Sequence, residues 1–174
     1  MDRDDFIIHV YCLVCECYQA VIESLPRPLR SAGFEPELSD AEVIAIEICG
    51  EMFKLPQDTD IFTYFVTHYG HFFPQLRQRS GFVRQAAALW QVKARLQKRL
   101  LQLHGADCDP VQAIDTMPLP VCARARGHRD RCFVGEADYG FCAAKDEHYY
   151  GFKLGLRVSR CGFITHYPFG GAPP

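Results

Sequence analysis

The chain has 174 residues, of which 48% are hydrophobic and 23% charged, and its formal net charge is −2. This length suits one ordinary domain or two small ones, and the composition excludes an intrinsically disordered chain. The near-neutral total charge excludes no class of partner. The nine cysteines, an odd number after a start that reads MDRDD instead of a basic leader, lead us to expect reduced thiols and a cytoplasmic protein.

A first helix is predicted where apolar residues recur every three or four positions near the amino terminus. Asp4 or Asp5 is expected to cap this helix, and Pro26 is expected to end it. Polar residues interrupt the apolar run at His9 and Glu16, so we expect a core helix and no membrane span. The predicted core stripe is Ile7, Val10, Tyr11, Val14, Tyr18, Val21 and Leu25.

Two further helices are indicated by their end signals. Ser39 and Glu42 have the spacing of a capping box, which predicts a second helix that runs to about Phe53. An aromatic-rich third helix is predicted over 60–69, with Gly70 as its stop. The apolar repeat that marks the buried side of the second helix is Ile44, Ile48 and Met52.

The fourth helix is predicted over 80–103, with Ser80 as its N-cap and Gly105 as its stop. The stretch 76–104 contains seven Lys or Arg residues and no acid. Such a cluster indicates a polyanionic partner, and the alternative is a solvated surface face. The bases expected opposite the apolar stripe are Arg84, Arg95 and Lys98, and those expected to flank it are Lys93 and Arg99.

A change in periodicity marks the predicted domain boundary. Helical periodicity gives way to strand patterns at 105–110, so the predicted domains are 1–106 and 107–174. A helical half followed by antiparallel strands predicts the α+β class.

The strands of the second half are predicted from alternation. A short strand over 111–114 is expected to end at a single carboxylate, Asp115. A long strand follows, then a turn at 159–162 and a returning strand at 163–167. The buried face predicted for the long strand is Tyr150, Phe152, Leu154, Leu156 and Val158.

Four stretches together resemble the DDE transposases of bacterial insertion sequences: AIDTMPLPVC, YGFCAAKDEHYYGFK, LRSAGFEPELSDAEVIAIEICGE and FVRQAAALWQVKARLQKRL. The resemblance spans nearly the whole chain, roughly 6–165. It implies a helical DNA-binding domain followed by an incomplete ribonuclease-H-like antiparallel β-meander. It also implies a bacterial, nucleoid-associated protein that binds the terminal repeats of a mobile element as double-stranded DNA.

The same resemblance makes Asp115 the first of three acidic ligands for two Mg²⁺ or Mn²⁺ ions, which serve DNA strand cleavage and transfer in this family. None of the later acids fits the family's second and third ligand motifs. Asp146 and Glu147, for example, are interpreted as solvated turn charges. Because one carboxylate cannot hold an octahedral metal pair, we expect a truncated, inactive relative that does not stably bind the metal.

Two basic groups are predicted to contact DNA. Cations that face outward suit phosphates and give salt-dependent affinity with little sequence preference. For the second group, in the loop between the first two strands, a mobile loop is the alternative interpretation. The predicted contacts are Arg84, Lys93, Arg95, Lys98 and Arg99 in the fourth helix, Arg124 and Arg126 in the loop, and Lys153 on the long strand.

Other functional interpretations remain open. A non-catalytic regulator would inhibit transposition by occupying element ends, or by joining oligomers of its own chain or of a full-length transposase. A helical regulator with zinc at Cys12 and Cys15 is disfavoured, because structural zinc sites use four ligands. Finally, an incomplete sheet is expected to expose an apolar face and edge, so this half is predicted to fold marginally or to pair with a partner.

Overall fold

The computed structural model describes residues 2–30 and 35–172. The chain divides into two compact units, 1–100 and 101–174, close to the division predicted after residue 106. The first unit (the helical unit) consists of α-helices, and the second (the sheet unit) is built around an antiparallel sheet. The protein is therefore α+β.

The first helix, α1 (Arg3–Glu23), begins earlier than predicted. Its N-cap is Asp2, whose side chain accepts the backbone N–H of Asp4 at 2.9 Å, so the cap predicted at Asp4 or Asp5 is wrong. Asp4 and Asp5 lie in the first turn, where negative charge stabilises the helix dipole. Tyr11 is 36% exposed and does not belong to the core. The buried residues of α1 are Ile7, Val10, Val14, Cys17 and Val21.

Within the described part of the chain, α1 alone is long and apolar enough to cross a bilayer, judged by length and composition only. Its buried stripe packs into the main hydrophobic cluster of the helical unit.

The second helix, α2 (Asp40–Met52), is the most deeply buried. The predicted capping box is confirmed, because Ser39 accepts the N–H of Glu42 while the Glu42 carboxylate accepts the N–H of Ser39. Burial raises the pKa of the Cys49 thiol to about 12, which keeps this core side chain neutral. Met52 is 62% exposed, so its predicted place in the core is wrong. The residues that α2 buries almost completely are Val43, Ile44, Ala45, Ile46 and Cys49.

The third helix, α3 (Asp58–Tyr69), supplies the aromatic part of the core and ends at Gly70, as predicted. Phe65 is fully buried. Its ring centroid lies 6.3 Å from that of Phe53 and 5.8 Å from that of Phe73. Aromatic pairs at these distances add about 0.5–1.5 kcal/mol each beyond the area they bury.

The predicted fourth helix is two helices, α4 (Arg79–Ala88) and α5 (Trp90–Leu103). They are separated at Leu89, whose side chain is fully buried and anchors the junction in the core. The N-cap of α4 is Gln78, without a side-chain capping bond, so the cap predicted at Ser80 is wrong. Gly105 has a φ of 63°, the left-handed conformation that commonly follows a helix end, and the predicted stop is confirmed.

A buried carboxylate joins three elements of the helical unit. Asp40 is 5% exposed and accepts two hydrogen bonds from Arg30, one from Tyr18 of α1 and one from Gln85 of α4. Burial by itself would raise the pKa of Asp40. The hydrogen bonds from Arg30, Gln85 and Tyr18 outweigh burial and hold the pKa of Asp40 below its usual value.

In the described residues the sheet has five strands, four of which pair with the central one. They are β1 (Gln112–Ala123), β2 (Asp138–Cys142), β3 (Glu147–Ser159), β4 (Ile164–His166) and β5 (Phe169–Gly171). On one side, β1 pairs with nearly the whole of β3. On the other side, β2, β5 and β4 pair with successive parts of β3. The predicted antiparallel pairing of the first, long and returning strands is confirmed, whereas β2 and β5 were not predicted.

The first strand is longer than predicted. As a result, Asp115 lies inside β1, opposite Leu156, and the prediction that it ends a strand is wrong. β1 forms an edge of the sheet. Pro118 and Pro120 are tolerated there because an edge strand can lack N–H donors on its outer side.

The sheet unit buries little apolar surface. Its buried cluster is Ala137, Tyr150 and Phe152, against which Leu119 and Cys122 pack. Apolar exposure of this half is confirmed, while its marginal folding remains a prediction. The exposed large apolar residues described in this unit after α5 are Val111, Ile114, Met117, Val121, Phe133, Val134, Tyr139, Phe141, Ile164, Tyr167 and Phe169.

Candidate nucleic-acid interface

The basic face predicted for the fourth helix keeps exposed charges at three positions. Arg84 in α4, and Lys98 and Arg99 in α5, are exposed, and none of them forms an ion pair within the described ranges. Arg84 donates from Nε to the carbonyl oxygen of Ser80 at 3.1 Å, which leaves its positive charge unneutralised. Lys98 and Arg99 follow Arg95 by three and four positions, so these three bases share one side of α5.

Two other bases of this face have partners inside the helical unit. Lys93 Nζ lies 2.9 Å from Glu47 Oε1 on α2. Burial raises the pKa of Glu47 although Lys93 acts in the opposite direction. Arg95 donates to the carbonyl oxygen of Ser24 at 3.1 Å, at the carboxyl end of α1, where a cation complements the helix dipole. Lys93 and Arg95 therefore have structural roles.

An open groove of about 760 Å³ lies beside Arg84. Arg77 is also at the groove, and its guanidinium is 3.8 Å from the carboxylate of Glu37, both side chains being well exposed. Exposed pairs of this kind are weak, so Arg77 stays available to an anionic ligand. The groove thus places the Arg77 guanidinium and the Gln78 amide near the exposed Arg84.

Asp115 is exposed, and its Oδ1 accepts the backbone N–H of Thr116 at 2.7 Å. The register of β1 and β3 places Asp115 opposite Leu156, and Lys153 opposite Pro118. Directly opposed residues share a face, and alternate residues of a strand point to opposite faces. Asp115 therefore lies on the face of Leu156, whereas Lys153 lies on the other face, and the structure does not bring the two predicted site residues together.

The surroundings of Asp115 do not fit a pair of divalent cations. Mg²⁺ requires several oxygen ligands placed together. Residues 2–30 and 35–172 contain no group of three or more His, Cys, Asp or Glu side chains that could hold a metal ion. Cys12 and Cys15 are both exposed on α1, which also gives zinc no enclosed site there.

The second basic group lies in a short 3₁₀ helix, Arg124–Arg129, between β1 and β2. Arg124 and Arg126 are exposed, while Gly127 between the bases is buried. Lys153 is exposed on β3.

Sequence reasoning missed a set of aromatic side chains beside this basic helix. Tyr139 and Phe141 of β2 are 38% and 49% exposed, and Phe141 lies against His148 of β3, with ring centroids 4.7 Å apart. The sequence contains a signal for this set, because Tyr139, Gly140 and Phe141 alternate aromatic and small residues shortly after a segment with four arginines.

Comparisons of the chain with protein-family models, with curated proteins and with solved structures find no match in any of the three. The transposase resemblance therefore depends on the motifs quoted above.

Proposed function

We propose that this protein is a relative of insertion-sequence transposases that binds double-stranded DNA through its helical unit. The observation that carries the proposal is the group of exposed cations, Arg84, Lys98 and Arg99, in a segment without acids. Cations on a helix surface displace the counterions of DNA phosphates, and this supplies affinity without base recognition. The transposase motifs favour DNA, and specifically element ends, over other polyanions.

The sheet unit is proposed to correspond to the beginning of a ribonuclease-H-like sheet. The antiparallel pairing of β1 with β3 and of β3 with β4 supports this proposal, as does a carboxylate on the first strand. Asp115 would then occupy the position of the family's first metal ligand. The isolated setting of Asp115 argues against strand cleavage by this chain, so no metal-dependent step is assigned to it.

The helical interface is tested by fluorescence anisotropy with a labelled duplex over a range of salt concentrations. Replacing Lys98 and Arg99 by Gln removes about two phosphate contacts. The dependence of log affinity on log salt should then become shallower by roughly 1.8, since each contact contributes about 0.9. A further loss is expected for Arg84→Gln.

Arg27 and Lys54 provide a control of equal charge, because both are exposed bases of the same unit and neither belongs to α4 or α5. Replacing this pair by Gln changes the net charge equally and should leave the salt slope close to that of the parent protein. Equal losses from both pairs, or no duplex binding by the parent protein, would contradict the proposed interface.

A non-catalytic regulator of transposition is the second candidate function, and the isolated position of Asp115 favours it. The chain would be added to a strand-cleavage reaction of an intact related transposase on DNA with element ends. Inhibition that disappears with the Lys98→Gln and Arg99→Gln changes indicates competition for DNA. Inhibition that persists indicates mixed oligomers with the intact enzyme.

Cleavage by the chain itself is tested with Mg²⁺ or Mn²⁺ on DNA that carries the element ends. We expect no cleavage from the parent protein. Cleavage that Asp115→Asn abolishes would show that a complete metal site assembles, and would overturn the non-catalytic proposal.

A further inference from the structure

The basic 3₁₀ helix packs directly against aromatic rings of the sheet. A Cβ atom added to Gly127 would lie 2.8 Å from the Tyr150 ring and 2.9 Å from the Tyr139 ring. Real Cβ atoms do not approach other atoms so closely, so the close contact between this helix and the two rings requires glycine. The arginines around Gly127 remain exposed: Arg124, Arg126, Arg129 and Arg131.

The rings beneath the helix form a strip that continues into solvent. Tyr139 is opposite Tyr150, and Phe141 is opposite His148, in the register of β2 and β3. Opposed residues share a face, and the two pairs are two positions apart, so the four rings lie on one face of the hairpin. The ring centroids of the pairs are 5.0 Å and 4.7 Å apart. Tyr150 is buried, whereas Phe141 and His148 are exposed.

A small cavity connects the charges to the rings. It has a volume of about 460 Å³ and is lined by Arg124, Ala125, His128 and Tyr139. The lining of the cavity therefore includes a guanidinium, an imidazole and the Tyr139 ring. This combination suits a group that has both an anionic part and a flat aromatic part.

We infer that this strip and the arginines beside it bind single-stranded nucleic acid. Bases stack on Phe141, His148 and the exposed side of Tyr139, while Arg124 and Arg126 contact the phosphates. Exposed rings next to cations suit a single strand, whose bases are free to stack, better than a duplex, whose base faces are already covered. The inference goes beyond the proposed function, because it concerns the sheet unit and a different form of nucleic acid.

Nearby acids limit where the phosphate backbone of the bound strand can run. Asp130 accepts the backbone N–H of Phe133 at 3.1 Å, so this carboxylate is held within its own turn. The hairpin turn between β2 and β3 contains Asp146, and β3 begins at Glu147. Phosphates are repelled from that end, so the backbone of the strand should leave Phe141 toward the arginines.

Stacking is tested by tryptophan fluorescence. The protein has one tryptophan, Trp90, which is replaced by Phe to give a dark background. In this background Phe141→Trp reports on the strip, and Tyr167→Trp, at an exposed aromatic position outside it, serves as the matched control. Titration with oligo(dT) or oligo(rU) of about 12 nucleotides, within the site sizes of such surfaces, should quench the Phe141→Trp variant alone.

Affinities for the same oligonucleotides provide the second measurement. Phe141→Ala should weaken binding by roughly 5- to 150-fold, the effect of losing one stacked base, and Tyr167→Ala should have no effect. Replacing Arg124 and Arg126 by Gln should weaken binding and reduce its salt dependence. A preference for oligo(dT) or for oligo(rU) identifies the sugar of the natural ligand, and either preference supports the inference.

Three results would overturn the inference. The first is an unchanged affinity of a Phe141→Ala variant whose circular dichroism spectrum matches that of the parent protein. The second is equal quenching of both tryptophan reporters. The third is complete displacement of the oligonucleotide by an equal concentration of duplex. This inference can fail or succeed independently of the duplex proposal, because the protein with Lys98→Gln and Arg99→Gln should still bind oligo(dT).

Discussion

The two units of this protein differ in how much apolar surface they bury. Among the described residues, the helical unit has a cluster of 22 buried residues, whereas the cluster of the sheet unit has 3. Burial of apolar area contributes about 25 cal/mol per Å², so the stability of the two units is expected to differ strongly. The helical unit provides a rigid frame for its surface cations, and the sheet unit keeps apolar and aromatic side chains in contact with solvent.

The difference also separates the two proposed interfaces. In the helical unit, a large apolar cluster forms the core and α5 carries exposed bases, which suits the phosphates of a duplex. In the sheet unit, exposed rings lie beside arginines, which suits unpaired bases. Lys93 and Arg95 show that part of the charge in a basic sequence window also joins helices of the same unit to one another.

The largest effect is expected from truncation in the aromatic core. Phe65→Ala should reduce the free energy of unfolding of the helical unit by about 3–5 kcal/mol, because it removes a fully buried ring and leaves a cavity. Phe169→Ala, at a ring that is 58% exposed, should cost about 1 kcal/mol or less. Chemical denaturation followed by circular dichroism measures both values. Equal costs would contradict the contrast between the units.

Asp40→Asn should have the next largest effect, because it leaves Arg30 without its buried carboxylate. We expect a loss of about 2–3 kcal/mol, less than for a fully enclosed pair because the Arg30 side chain is 38% exposed. Asp58→Asn, in the first turn of α3, is the control and should cost only a few tenths of a kcal/mol. Denaturation at neutral pH distinguishes the two variants.

The Asp40 carboxylate should also make the free energy of unfolding depend on pH. The pKa of Asp40 is lower in the folded protein than its usual 3.8, so its stabilising contribution is present above about pH 4 and is lost as the pH falls below it. The raised pKa of Glu47 acts with the opposite sign, since protonation of Glu47 favours the folded state. The difference between parent and Asp40→Asn isolates the Asp40 contribution, and this difference should shrink in acid. A constant difference from pH 7 to pH 3 would contradict this role.

A smaller effect is expected at Gly127. In Gly127→Ala the added methyl group meets the rings of Tyr139 and Tyr150, which should destabilise the sheet unit by about 1–3 kcal/mol. Gly170→Ala is the matched control, because a Cβ atom at Gly170 meets open space. Tyrosine fluorescence during denaturation detects the change. A stable Gly127→Ala protein with an unmoved 3₁₀ helix would contradict the close contact described above.

Local signals in the sequence predicted several elements correctly. The capping box at Ser39, the stop at Gly105 and the alternation that became β3 each depend on residues close together in the chain. Their physical causes are a side chain that reaches a nearby N–H, a left-handed glycine, and the two-residue period of a strand. Each of these signals can be recognised from a few neighbouring residues, without knowledge of distant contacts.

Features that depend on distant contacts could not be predicted. The junction at Leu89 follows from its packing in the core, and β5 has three residues, too few to show a period. The ion pair of Lys93 could not be predicted, because its partner, Glu47, is 46 positions away. For the same reason, the sequence predicted Asp115 as a site residue but could not indicate which face of the sheet it occupies.

The contrast between the two units is tested most directly by hydrogen exchange of the intact protein, followed by mass spectrometry. Amides of α2 and α3 should exchange slowly, because they open only when the large core unfolds, whereas amides of β1 and β2 should exchange orders of magnitude faster through local opening. Equal and strong protection of both units, with one cooperative unfolding transition, would contradict the account.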